Sequence, residues 1–89
     1  MSRARDVVEV VARTLADHPG AVRVTERDHK GQTLVELFMA PGDLGRVIGR
    51  QGRTAQAIRT LVAATAELEG VKATLEFRDA TKVYPGQSE

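Results

Sequence analysis

Val47-Ile48-Gly49-Arg50-Gln51-Gly52-Arg53 is the stretch on which the reading of this 89-residue chain turns. Two glycines spaced by two residues interrupt helical patterns on either side, and the missing Cβ atoms let the backbone bend tightly and approach another chain closely. Upstream, Pro41-Gly42-Asp43 stops an extended segment, and Asp43 is expected to cap a short helix over residues 44 to 48. Downstream, Ala55, Ile58, Leu61, Val62, Thr65 and Leu68 make one stripe across residues 53 to 68, and Gly70 supplies a stop signal. The alanines of that second helix allow close packing. Its N-terminal amides, facing outward after the bend, form the positive end of a helix dipole and suit phosphate oxygens.

Working outward, residues 2 to 17 place Val7, Val8, Val11 and Leu15 at three- and four-residue spacing, which predicts an amphipathic helix capped by Ser2 and ended by His18-Pro19-Gly20. Residues 21 to 28 alternate, with Val22 and Val24 on one face. Asp28-His29-Lys30-Gly31 supplies a turn, and a second strand over residues 32 to 40 sets Val35, Leu37 and Met39 against Leu34, Glu36 and Phe38. The two strands predict a hairpin. A third strand, 71 to 78, alternates Val71, Ala73, Leu75 and Phe77 with Lys72, Thr74, Glu76 and Arg78. Because it is reached only through two helices, it can pair in parallel with the second. The expected class is α+β: two layers, a three-stranded mixed sheet with three helices on one face, in the order α-β-β-α-α-β. One domain over residues 1–79 and a flexible tail over 80–89, ending Pro85-Gly86-Gln87-Ser88-Glu89, complete the expected organisation.

Composition narrows the functional classes. There is no cysteine, so disulfides, thiolate metal sites and cysteine nucleophiles are excluded, and a cytoplasmic location is the expectation. The charged N-terminus shows no apolar core of a signal peptide, and no apolar run approaches the ~20 residues of a bilayer span. His18 and His29 lie in loops away from any triad or metal cluster, and no Gly-Lys-Ser/Thr follows the glycines, so catalysis, a cofactor and a small-molecule substrate are not expected. Net charge is only +1, but residues 41 to 60 hold Arg46, Arg50, Arg53 and Arg59 against Asp43 alone, a local +3 that leaves −2 for the remainder. Arg23, Arg27, Lys72 and Arg78 read as solvated strand faces. Phe38, Phe77 and Tyr84 are the only aromatics, too few for a base-stacking platform of the RRM kind.

Ile48-Gly49-Arg50-Gln51-Gly52, between two helices and with Ile58 six positions beyond the second glycine, resembles the hallmark of the KH family. The resemblance covers roughly residues 2 to 78, and the leading helix and strand are similar to the type II, prokaryotic arrangement found in small bacterial single-KH proteins. It implies that the turn clamps the backbone of about four unpaired nucleotides while bases lie in an apolar groove alongside. The implied RNA-binding residues are Arg46, Val47, Ile48, Gly49, Arg50, Gln51, Gly52, Arg53 and Ile58. Val47, Ile48 and Ile58 would form the groove or its floor, whereas periodicity alone places Ile58 simply in the core. The implied partners are single-stranded RNA, a second copy of the chain and a larger KH-containing protein, with a role as RNA chaperone or post-transcriptional regulator. Two other readings stand beside it: a helix-turn-helix reader of duplex DNA using residues 53 to 68, and a degenerate KH fold serving as a protein adaptor.

Overall fold

The computed structural model describes residues 2–81. Its elements are α1 (Arg3–Leu15), β1 (Arg23–His29), β2 (Gln32–Met39), α2 (Pro41–Ile48), α3 (Arg53–Leu68) and β3 (Ala73–Asp79). The expected order and the mixed sheet are both present. β2 is central, antiparallel to β1 with Val24 opposite Leu37, and parallel to β3 with Val35 opposite Leu75. The hairpin closes on Lys30 (φ 53°) and Gly31 (φ 77°), two consecutive left-handed residues of the kind a two-residue turn needs to match strand twist. Of the tail expected over 80–89, residues 82–89 lie outside the described residues; Ala80 N–H still bonds Met39 C=O at 2.8 Å, extending the β3 ladder by one residue.

The period-two pattern places the sheet core as expected: Val35, Leu37 and Met39 are wholly buried under the helices, joined by Val22, Val24 and Leu75. The helix stripes differ from expectation. In α1 the buried positions are Ala4, Val8 and Ala12, while Leu15 is exposed. In α3 they are Ala55, Ile58, Val62 and Ala66, while Leu61 and Leu68 face outward. The reason is steric: α1 packs directly on α3, and a close helix-helix contact selects the small side chains that let two backbones approach rather than the bulkiest apolar ones. α1 begins as expected, with Ser2 Oγ accepting from Arg5 N–H at 3.1 Å. α3 ends in a Schellman turn, Val71 N–H to Ala66 C=O and Gly70 N–H to Glu67 C=O, with Gly70 at φ 74°. That turn reverses the chain into β3.

Asp43 is a correction. α2 starts earlier than residue 44, with Pro41 in its first turn and Ala40 as its uncapped N-cap. The Asp43 carboxylate, almost completely buried, instead accepts from the backbone N–H of Asp17 (3.0 Å) and of His18 (2.9 Å). It satisfies amides left over where α1 ends, and so ties the α1 exit to α2. Those bonds, led by the one from Asp17 N–H, hold its carboxyl below the usual range.

On the sheet face away from the helices Glu36 is almost fully buried, accepting from Thr25 Oγ1 (3.2 Å) and Arg78 Nε (3.1 Å) and pairing with Arg27 (3.5 Å). Arg27 and Arg78 are therefore ion-paired rather than simply solvated, and Leu34 and Phe38 beside them are half-buried.

Candidate nucleic-acid interface

α2 carries the chain outward to a bend that no ordinary residue pattern would adopt. Gly49 sits at φ 69°, ψ 179°, Gln51 at φ 60° and Gly52 at φ 68°. A Cβ built on Gly49 would meet Thr54 Oγ1 at 3.2 Å, so both conformation and space call for glycine there. At Gly52 the demand is different: an added Cβ would meet nothing within 4 Å, so that side of the bend is open. Arg50, placed by its backbone between these glycines, opens the short 3-10 turn Arg50–Gly52, and Gln51 is exposed.

Gly52 is the N-cap of α3, with no side-chain cap and no acidic residue in the first turn. The first amides of a 16-residue helix thus point past an open glycine with the positive end of the dipole behind them. Arg53 is exposed and has no ion-pair partner among the described residues. Arg46 is different. Its guanidinium lies 2.6 Å from the Asp17 carboxylate, which raises the arginine's pKa and lowers the aspartate's. Its charge is shared with the α1 exit before any ligand arrives.

The apolar members divide by depth. Val47 is completely buried and Ile58 is 5 % exposed, both in the hydrophobic core. Ile48 remains 39 % exposed at the end of α2. Two nearby residues were not singled out from sequence. Thr54 packs against Gly49. Arg59, counted only as part of the local charge, reaches β3, where Nε donates to Leu75 C=O at 3.4 Å and Cζ lies 5.0 Å over the Phe77 ring. No local pattern signals either contact, because each depends on how the helix seats against a distant segment.

Two helices joined through a Gly-x-x-Gly bend, laid on a mixed three-stranded sheet with a leading helix and strand, define a KH domain of the type II order. The family described as KhpA/KhpB, KH domain, matches residues 5–77. A protein of Aquifex aeolicus named RNA-binding protein KhpA is 42 % identical over 77 residues, covering 86 % of this chain and 98 % of that one. Its namesake from Caldanaerobacter subterraneus is 46 % identical over 72 residues (81 % and 96 %), and that from Halalkalibacterium halodurans 43 % over 75 (84 % and 99 %). The chain belongs to the KhpA/KhpB family of KH domains.

Proposed function

We infer that the protein binds single-stranded RNA, without catalysis, by laying the backbone of about four nucleotides along the Gly49–Gly52 bend and the N-terminus of α3. The observation that carries this reading is the open side of Gly52 beside uncapped helix amides with no acid in the first turn. Arg46, Arg50 and Arg53 lie in or close to the bend in sequence, and relatives covering most of the chain are named for RNA binding. Val47 and Ile58 belong to the core that α2 and α3 share with the sheet, and Ile48 offers exposed apolar surface next to Gly49. Among the described residues no cluster of metal-ligating side chains occurs, and no helix is long and apolar enough to cross a membrane. Beyond Arg59, which lies on Phe77, the exposed face of α3 carries Gln56, Thr60, Ala63, Ala64 and Glu67, a poor set for base edges or phosphates of a duplex, so the DNA-reading alternative has no support.

The test is Arg50→Asp with Gln51→Asp, which sets two carboxylates where phosphates are expected and keeps both glycines. Affinity for a short single-stranded RNA should fall roughly tenfold or more, with the circular dichroism spectrum unchanged. Affinity within a factor of about two of the parent would remove the bend as the binding site.

One module of this charge fits the weak, non-specific range of ~10⁻⁴ to 10⁻⁶ M. Self-association, which multiplies affinity through effective concentration, therefore belongs to the same reading, as does pairing with a larger KH-containing protein. Ala57, Leu61, Ala64 and Leu68 support it: all are exposed, at four- and three-residue spacing along one face of α3. Sedimentation should show a dimer that Leu61→Asp with Leu68→Asp converts to monomer; a parent protein that sediments as a monomer at micromolar concentration removes this part. A cytoplasmic role as RNA chaperone or post-transcriptional regulator completes the proposal, with residues 1–79 as the working domain.

A further inference from the structure

We propose that the Thr54 hydroxyl is a ligand of the RNA: it donates to a phosphate oxygen of the strand laid on the Gly49–Gly52 bend, beside the first amides of α3. The inference rests on the RNA-binding reading above and adds a neutral side chain that the charge pattern does not reveal.

Elsewhere in the helices of this chain, threonines follow one habit. Thr14, Thr60 and Thr65 each turn the hydroxyl back and donate to the carbonyl four residues earlier, at 2.7, 3.0 and 2.8 Å. Thr54 stands at the second position of α3, and the residue four places earlier is Arg50, in the bend and outside the helix. Its hydroxyl has no hydrogen-bond partner among the described residues. Thr54 is half-buried, and among the described residues no fully buried side-chain oxygen lacks a partner, so this hydroxyl is open to solvent. The start of α1 gives the contrast, for there the Ser2 hydroxyl is spent on the Arg5 N–H.

A glycine makes the room for it. Thr54 Oγ1 is the atom nearest to where a Cβ on Gly49 would stand, at 3.2 Å, against 3.6 Å for the Arg46 carbonyl oxygen. Gly49 therefore keeps the hydroxyl uncovered as well as letting the backbone turn. In a helix the Cα–Cβ bond tilts toward the N-terminus, which brings Oγ1 to the same end of α3 as the unpaired amides. Every group gathered there is a donor, since no side chain caps the helix and no acid occupies its first turn. Several donors at the positive end of a dipole are matched by an anion with more than one acceptor oxygen, and a phosphodiester is that anion. A base edge or a ribose hydroxyl, which brings donors of its own, fits the set less well.

The experiment compares Thr54→Val, which keeps the shape and removes the hydroxyl, and Thr54→Ser, which keeps the hydroxyl, with the parent on a short single-stranded RNA. Melting curves establish that each is folded at the assay temperature, with Thr54→Ala in place of a valine variant that is not. Thr54→Val should bind roughly fivefold more weakly, and Thr54→Ser within a factor of about two of the parent. The slope of affinity against salt should stay the same, because no charge is removed. On strands carrying one neutral methylphosphonate at each linkage in turn, the penalty of Thr54→Val should vanish at the gripped linkage and persist at the others. Full affinity in Thr54→Val, an equal loss in Thr54→Ser, or a penalty that survives at every linkage would overturn the proposal and leave the backbone clamp standing. So would a penalty present on RNA and absent on DNA of the same sequence, which would move the contact to the ribose hydroxyl. A parent that binds no RNA overturns the clamp as well.

Discussion

Two bends in this molecule use the same backbone trick for opposite ends. At Lys30-Gly31 and again at Gln51-Gly52, a side-chain-bearing residue and then a glycine sit at positive φ in succession. At the hairpin the flanking residues His29 and Gln32 face each other across the ladder, so the bend leads straight into backbone groups that pair between the two strands it joins. Between α2 and α3 the bend leads instead into helix amides with no cap, past a glycine whose side is open. Left-handed conformation alone thus says nothing about function. What sets the proposed binding bend apart from the structural one is whether the donors that follow it have been spent.

The comparison breaks most readily at the bend residues. Where Arg50→Asp with Gln51→Asp should cost RNA affinity tenfold or so, Lys30→Asp should leave it within a factor of about two in the same binding assay. Next in size, Gly31→Ala and Gly52→Ala should each lower stability by about 1–2 kcal/mol in urea unfolding, because alanine resists the left-handed region. Only the second should also weaken RNA binding; equal weakening by both would erase the distinction drawn here.

A smaller effect concerns the tie between α1 and α2. The folded-state pKa of Asp43 is depressed, so its contribution is complete above the ordinary aspartate value of about 3.9 and is lost as pH falls through the lower folded value. Asp43→Asn should lower stability at neutral pH and flatten the acid limb of the stability curve below about pH 4. A variant whose acid limb matches the parent's would show that the carboxylate is not what holds this joint. The smallest effect is expected at Asp17→Asn, which frees the exposed Arg46 guanidinium and should raise RNA affinity by about twofold at most, an increase that added salt removes.

The buried face of each strand, the hairpin and the helix-bend-helix order were legible because period and glycine placement are local properties. Val35, Leu37 and Met39 fall on the buried face for no reason beyond alternation. The helix faces were read less well: Ala12 and Ala66 are core while Leu15 and Leu68 are not, since the choice between small and large residues is made by the neighbouring helix. Asp43 looked like a cap for its own helix because its actual donors, Asp17 and His18, are about 25 residues away in sequence. The same holds at the site. Gly49, Gly52 and the arginines announce themselves in sequence, but the sharing of Arg46 with Asp17 and the laying of Arg59 on Phe77 are products of the assembled fold.

The parallel pairing of β2 with β3 has a consequence for how the molecule comes into being. Leu75 joins the core opposite Val35, forty positions earlier, and every residue of the bend lies in the loop of chain that this contact closes. The hairpin can form early from neighbours, but the sheet is completed only when β3 docks beside β2. Contacts this far apart in sequence close late in folding, so a chain whose third strand has yet to dock would hold the two glycines without the layer they rest on.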